Sequence, residues 1–217
     1  MAEIKDNNYL VYKQININEK SFSAIAVAPN GLPGDSEIKI NGMALNGNYD
    51  ASFVEDFFIY QNNLYIILQR TILVVTNALN GNTQCDVSIE IKDYYSYEKP
   101  QMFSVNNKLF AHIGAKLWQR NPNEERWQET ISFKIGDCKP LVVADEWVCF
   151  SQNLQSLDNI NSIIILNINK LELKTITVDN LGHAPFPIKI ISKNRILVEN
   201  RYPQSPNQQQ FAEMELF

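Results

Sequence analysis

Three tyrosines and two carboxylates stand together in one polar stretch near the middle of the chain, Asp93-Tyr94-Tyr95-Ser96-Tyr97-Glu98. Tyrosine rings bring a large contact area at a low cost in side-chain entropy, and such anchors contribute ~2 kcal/mol or more to binding. Carboxylates beside them suit a partner of opposite charge. The alternative is that some of the rings pack between neighbouring units of the fold. We predict a protein-contact patch formed by Asp93, Tyr94, Tyr95, Tyr97 and Glu98.

A second candidate contact segment is His183-Ala184-Pro185-Phe186-Pro187. Its two prolines restrict the backbone, so the segment is predicted to be a rigid loop that presents the imidazole of His183 and the ring of Phe186. We therefore add His183 and Phe186 to the predicted partner-binding residues. The alternative is an ordered connection between strands that binds nothing.

Histidine and cysteine show no pattern typical of a metal site or a nucleophile. His112 stands in an apolar alternating run without a second histidine nearby, which favours a core residue over a metal ligand. The cysteines are odd in number and have no CxxC spacing, so we predict free thiols in a reducing compartment. These cysteines are Cys85, Cys138 and Cys149. We expect no catalytic residue, no metal and no cofactor.

The composition favours a soluble β protein with an acidic surface. Hydrophobic residues make up 45% of the 217 residues and aromatic residues 11%, and the net charge is −5. A negative chain is poorly suited to nucleic acid, whose phosphates require clustered lysine and arginine. No apolar run is long enough to span a bilayer, and the stretch Met1–Lys13 lacks the apolar region of a signal peptide. We expect a cytoplasmic protein with no membrane partner.

Short apolar runs separated by Asn, Gly and Pro recur along the chain. In the clearest copy, Met102–Val105, Leu109–Ile113 and Leu117–Gln119 precede a turn and a fourth run that starts at Trp127. Such runs are typical of antiparallel strands joined by tight turns. One repeat length upstream of the other four copies, Phe22 opens the second run of a fifth copy. The second runs open about 38 to 49 residues apart, a repeat length typical of propeller blades, at Leu64, Leu109, Trp147 and Ile196.

The clearest copy resembles a kelch-type repeat. Gly114-Ala115 stands where that family usually has two glycines, and Leu117-Trp118 opens the third strand. The segment from Pro122 to Trp127 matches the family's turn and closing tryptophan, whereas Arg120 takes a place usually held by tyrosine. The resemblance implies a β-propeller and no particular activity, because propellers host many functions.

We predict an all-β fold, a single β-propeller domain over residues 1–217 with five blades of four-stranded antiparallel sheet. The last copy shows only three runs, so the spare N-terminal run Tyr9–Ile17 is predicted to pair with the C-terminal sheet and close the ring. Phe211–Phe217 is the predicted final strand, with a short helix as the alternative. Long loops such as Asn41–Ser52 are expected on one recognition face. Four or six blades, or a β-sandwich, are the alternative folds.

Acidic residues provide an enzymatic alternative. Asp56, Asp137 and Asp145 lie near predicted inner strands, and some five-bladed hydrolases use such carboxylates as acid and base. Their neighbours are turn residues, so we interpret them as solvated turn carboxylates.

The sequence therefore favours a non-catalytic protein-binding propeller. Within that class we predict an immunity or inhibitor protein that neutralises a toxic, basic, nuclease-like enzyme, because an acidic inhibitor associates faster with a basic partner. The alternatives are a five-bladed glycoside hydrolase or lectin, and a general protein-interaction scaffold. Without its partner the chain is expected to be a monomer.

Overall fold

The computed structural model describes residues 3–5, 9–17, 22–29, 36–45, 49–91, 99–120, 126–135, 140–143, 146–151, 162–178, 183–202 and 209–216. The chain divides into two compact units, Met1–Tyr94 and Tyr95–Phe217. Within the described ranges, no helix has the length and apolar character needed to cross a membrane. The single domain expected over residues 1–217 stays a prediction.

The first unit contains two antiparallel sheets whose strands follow one another in chain order. The first sheet has five strands, β1 (Glu3–Lys5), β2 (Tyr9–Ile17), β3 (Phe22–Pro29), β4 (Glu37–Ile40) and β5 (Met43–Ala44). The second has four strands, β6 (Val54–Tyr60), β7 (Asn63–Leu68), β8 (Thr71–Val75) and β9 (Asp86–Glu90). Short 3-10 helices at Ala51–Phe53 and Ala78–Asn80 precede β6 and β9.

The second unit contains three antiparallel sheets with the same sequential strand order. The third sheet consists of β10 (Gln101–Val105), β11 (Lys108–Ile113), β12 (Lys116–Arg120) and β13 (Gln128–Ser132). The fourth consists of β14 (Leu141–Val143), β15 (Trp147–Ser151), β16 (Ser162–Asn167) and β17 (Glu172–Thr177). In the described residues, the last sheet has three strands, β18 (His183–Ser192), β19 (Arg195–Tyr202) and β20 (Phe211–Glu215).

Two-residue hairpins set the register of several strands. Both central residues of the turns Asn41-Gly42, Asn106-Asn107 and Gly114-Ala115 have positive φ. Such turns match the right-handed twist of the flanking strands and favour Asn and Gly, which tolerate the left-handed region. The Asn and Gly clusters of the sequence therefore end these strands, as predicted.

In the first unit, alternate strand residues of the two sheets share one apolar core. The first sheet contributes Phe22, Ala24 and Ala26 from β3 and Ile38 and Ile40 from β4. The second sheet contributes Leu64 and Ile66 from β7 and Leu73 and Val75 from β8. Burial of one large aliphatic side chain contributes roughly 1.5–3 kcal/mol, so this shared core holds the two sheets together.

In the second unit, the fourth sheet is buried on both faces. Ile164 and Leu166 of β16 share a cluster with Phe103 and Phe110 of the third sheet. Ile163 and Ile165 of the same strand share another cluster with Ile196, Val198 and Met214 of the last sheet. This double burial explains why β16 is an unbroken apolar run rather than an alternating one, since both sets of its side chains leave water.

The predicted all-β architecture with five antiparallel sheets is confirmed. The predicted pairing of Tyr9–Ile17 needs correction. This run is β2, which pairs with β3 from Ile17 opposite Phe22 to Tyr9 opposite Pro29, so it belongs to the first sheet. A short connection to β3 makes that pairing cheap in loop-closure entropy.

The predicted final strand is confirmed, since Phe211–Glu215 forms β20 and not the alternative helix. One prediction about loops is wrong. Asn41–Ser52 is not one long loop, since Asn41-Gly42 is a hairpin turn that leads into β5.

Candidate functional site

The tyrosine segment Asp93–Glu98 lies outside the described residues, in the connection from β9 to β10. The structure describes the residues at both ends of this connection. The Ile91 N–H donates to the Arg70 carbonyl at 3.0 Å, and at the other end Pro100 and Gln101 are buried. The predicted contact patch itself stays a prediction for Asp93, Tyr94, Tyr95, Tyr97 and Glu98.

The segment His183–Pro187 is strand rather than the predicted loop. It forms the first half of β18, with His183 opposite Tyr202 and Phe186 opposite Glu199. A strand tolerates Pro185 and Pro187 here because β18 is the first strand of its sheet and lies at an edge. The Phe186 ring is only 6% exposed, so it packs inside the second unit and is not presented to a partner. The side chain of His183 is outside the description.

Only one of the three candidate catalytic carboxylates is described. Asp56 lies in β6, where its Oδ1 accepts from the Phe57 backbone N–H at 2.9 Å and lies 3.9 Å from Lys13 Nζ. A cation and a backbone donor thus compensate its charge. Asp56 is therefore a strand carboxylate, and its prediction as a solvated turn carboxylate is wrong. Asp137 and Asp145 lie outside the described residues.

His112 is a core residue, as predicted. Its side chain is 1% exposed, and its Nε2 lies 2.7 Å from the Phe133 carbonyl. A carbonyl can only accept, so Nε2 carries the proton of the neutral ring. Burial lowers the pKa of His112 to about 4, and the hydrogen bond to Phe133 opposes that shift. The rings of Phe133 and Phe150 lie 4.9 and 6.5 Å away, so the imidazole belongs to an aromatic cluster.

Cys85 and Cys149 are free thiols. Burial raises the pKa of Cys149 to about 12. The pKa of Cys85 rises to about 11 because of burial and the charge of Asp86, against a hydrogen bond from Tyr49 that lowers it. Both thiols therefore stay protonated and unreactive at neutral pH. Cys138 lies outside the described residues, and no metal-binding cluster of histidine, cysteine or carboxylate occurs in the part of the chain that is described.

An apolar surface on β18 was not singled out by the sequence analysis. Ile188, Ile190 and Ile191 are 37%, 41% and 42% exposed. The β18–β19 register shifts between Pro187 and Lys189 and again between Ile190 and Ser192, which leaves Ile188 and Ile191 as extra residues. Extra residues of this kind break the inward and outward alternation of a strand, so successive isoleucines reach the surface.

The last strand, β20, combines an apolar face with an acidic face. Met214 is buried in the core of the second unit, and Ala212 packs against it. On the other face, Phe211 is 46% exposed. Glu213 Oε2 lies 3.4 Å from Arg195 Nη1, and the side chains of Glu213 and Arg195 are 56% and 49% exposed. Glu215 accepts from Asn194 Nδ2 at 3.0 Å. The sequence signal was the alternation Phe-Ala-Glu-Met-Glu, which indicates one solvent-exposed face and one buried face.

No known protein family and no curated protein matches this sequence. Solved structures do match the chain. It is similar to the WD40 domain of Pan2 from Neurospora crassa (TM-score 0.54, 9% identity, 95% of this chain and 62% of that chain). It is also similar to apo AztD from Citrobacter koseri (TM-score 0.55, 9% identity, 94% and 57%) and to hydrazine synthase from Kuenenia stuttgartiensis (TM-score 0.57, 9% identity, 88% and 62%).

WD40 domains are β-propellers, and the sequential antiparallel sheets of this chain agree with that architecture. The fold is a β-propeller. The chain spans about 57 to 62% of the length of the three structures. At 9% identity the likeness concerns the fold alone.

Proposed function

We propose that this chain is a protein-binding β-propeller whose partner is a basic protein. In its specific form, the proposal is an immunity or inhibitor protein that neutralises a toxic, nuclease-like enzyme by binding it. The observation that carries the proposal is the Asp93–Glu98 segment, three tyrosines and two carboxylates in one connection of a β-sheet scaffold.

The connection starts from a well-defined end of its sheet. Successive strands are antiparallel, so the chain leaves β9 at the end where the turn Gln69-Arg70 joins β7 to β8. The hydrogen bond from Ile91 to the Arg70 carbonyl ties the departing chain to that turn. Binding residues usually collect on connections that a rigid scaffold positions, which favours this end of the sheet as a contact surface.

The charge supports a basic partner. The chain has a net charge of −5, and two of its carboxylates flank the three tyrosines. Long-range attraction between opposite charges raises the association rate and disfavours partners of the same sign, whereas tyrosine rings supply contact area. An inhibitor that must capture a toxic enzyme quickly benefits from both properties.

The test is capture of the partner followed by an activity assay. The purified chain is immobilised, host proteins are passed over it, and the retained protein is identified, purified and mixed with the chain. We expect one basic protein whose nuclease activity disappears at equimolar mixing. Its association rate should fall roughly tenfold or more as salt rises from ~0.05 to ~0.5 M. Retention of a protein whose activity does not change would favour a general scaffold.

Replacing Tyr94, Tyr95 and Tyr97 together by alanine tests the contact residues. We expect the affinity for the partner to fall by roughly a hundredfold, with the melting temperature nearly unchanged. Met43→Ala is the control, since Met43 is 52% exposed and lies in β5 of the first sheet, and it should leave binding intact. A large drop in melting temperature for the triple variant would mean that the rings belong to the core and that the contact patch is wrong.

A further inference from the structure

Among the described strands, the last sheet has three, one fewer than the second, third and fourth sheets. The second, third and fourth sheets each have four strands, and their third strands, β8, β12 and β16, pair with a neighbour on both edges. β20 holds the same third place in the last sheet, but among the described strands it pairs with β19 alone. Tyr9–Ile17, the run expected to fill the fourth place, is part of the first sheet.

The hydrogen-bond register shows which backbone groups line the outer edge of β20. The Leu216 N–H donates to the Asn194 carbonyl and the Asn200 N–H to the Gln210 carbonyl, both at 2.8 Å. Bonded and non-bonded pairs alternate along an antiparallel ladder, so Ala212 and Met214 direct their backbone groups to β19. The N–H and C=O groups of Phe211, Glu213 and Glu215 therefore point outward, where another strand can bind them.

The side chains of this edge select for a particular partner. The strand Phe211–Glu215 carries two carboxylates and no cation. Two copies of β20 pairing about Glu213 would place one Glu213 directly opposite the other, and like charges at that position are destabilising. Lysine or arginine on an incoming strand would instead oppose Glu213 and Glu215. The exposed ion pair between Glu213 and Arg195 is weak and leaves carboxylate lone pairs free to accept a second donor.

We infer that β20 receives an extended strand of alternating basic and apolar residues from a partner protein, which becomes the fourth strand of the last sheet. The main-chain hydrogen bonds supply affinity, and the acidic face of β20 selects basic side chains. The apolar residues between them extend the buried face of Ala212 and Met214. The inference rests on the proposed function for the sign of the partner's charge, and adds to it the surface and the mode of binding.

The probe is a short capped peptide of alternating lysine and valine, tested on the full chain. Its control is a peptide of the same composition with all lysines before all valines. We expect the alternating peptide to bind roughly tenfold more tightly or better, because only it can pair charges and hydrogen bonds in register. Amide exchange should slow at Phe211, Glu213 and Glu215 and stay unchanged at Met214, which is already bonded to β19.

Two further arms test the main-chain hydrogen bonds and the charges separately, the first of them with the unaltered protein. The same peptide with N-methyl groups on the residues that face β20 should lose binding, because it cannot donate to the edge. Glu213→Gln with Glu215→Gln should weaken the lysine peptide and favour an alternating glutamine–valine peptide. Equal binding of the two lysine peptides, or no protection at Glu213 and Glu215, would overturn the inference.

Failure of the inference and failure of the proposed function give different results. If replacing Tyr94, Tyr95 and Tyr97 does not affect neutralisation but the peptide slows amide exchange in β20, the strand-addition inference is supported. The proposed tyrosine contact patch is then wrong. If a basic enzyme is neutralised while the exchange pattern of β20 stays unchanged in the complex, the inference alone is overturned.

Discussion

Ala115 adopts a backbone conformation that costs free energy for any residue with a side chain. Its φ is 55°, and it follows Gly114 in the turn between β11 and β12. The left-handed region brings Cβ too close to the neighbouring carbonyl oxygen, which costs roughly 1–2 kcal/mol. The position accepts alanine only because β11 and β12 pair on both sides of the turn.

Ala115→Gly should therefore stabilise the protein by about 1 kcal/mol, measured as a higher urea midpoint. Ala111→Gly in β11 is the matched control, since Ala111 is buried and is not among the residues with positive φ. That substitution should destabilise by roughly 0.5–1 kcal/mol, because glycine gains freedom in the unfolded chain. A loss of stability in both variants would contradict the strain argument.

His112 makes the stability of the core depend on pH. Its pKa is about 4 in the folded chain because burial disfavours the charged ring, against about 6.5 in an unfolded chain. The unfolded state therefore binds the proton more tightly. The contribution of the neutral His112 ring to stability is fully present above pH 6.5 and is lost as the pH falls towards 4. The loss is on the order of 3 kcal/mol in the free energy of unfolding.

His112→Gln removes this titration and keeps an N–H donor for the Phe133 carbonyl. Between pH 7 and pH 5, the free energy of unfolding of the unaltered chain should fall by about 2 kcal/mol more than that of the variant. Urea unfolding at both pH values measures the difference, and all other titrating groups cancel in the comparison. Parallel pH dependence of the two proteins would show that the ring is not buried in its neutral form.

At the scale of the element, β16 shows how double burial determines a strand's composition. Ile164 is 8% exposed and faces the cluster shared with the third sheet, whereas Ile165 is 0% exposed and faces the cluster shared with the last sheet. The neighbouring strand β17 is the outer strand of the same sheet, and most of its residues are exposed.

Ile164→Ala and Ile165→Ala should each destabilise the protein by roughly 2–5 kcal/mol, because each leaves a cavity in a packed cluster. Thr175→Ala in β17, directly opposite Ile164, is the control and should change stability by less than ~0.5 kcal/mol. Chemical denaturation of the three variants measures these changes in the free energy of unfolding. A neutral result at either isoleucine would mean that one face of this sheet is solvated.

At the scale of the whole molecule, the two compact units contain different spectroscopic probes. All three tryptophans, Trp118, Trp127 and Trp147, belong to Tyr95–Phe217, whereas Cys85 belongs to Met1–Tyr94. The pKa of Cys85, raised to about 11, keeps its thiol slow to react until the first unit unfolds.

If residues 1–217 form a single domain, tryptophan fluorescence and alkylation of Cys85 should report the same urea midpoint, since cooperative unfolding gives coincident transitions. Peptide mass spectrometry separates the labelling of Cys85 from that of the other cysteines. Midpoints that differ clearly would show two independently unfolding units and would end the single-domain prediction.

Strand positions could be read from the sequence because they depend on neighbouring residues. Leu141–Val143 and Trp147 onwards are strands as expected, and the turn Asn106-Asn107 ends β10 as expected. The segment His183–Pro187 could not be read correctly, because prolines indicate a loop unless the strand lies at a sheet edge. Edge position depends on the partners of β18, which no local pattern contains.

Local alternation and turn residues were thus sufficient to establish an all-β chain of repeated hairpins, since each hairpin forms from contacts between residues close in sequence. The tertiary structure decided that β2 joins the first sheet, that the ring of Phe186 is buried and that β20 pairs with β19 alone among the described strands. These three features depend on which distant strands and side chains meet. That choice is made by burial and pairing over the whole unit, to which a single run of residues contributes only one side.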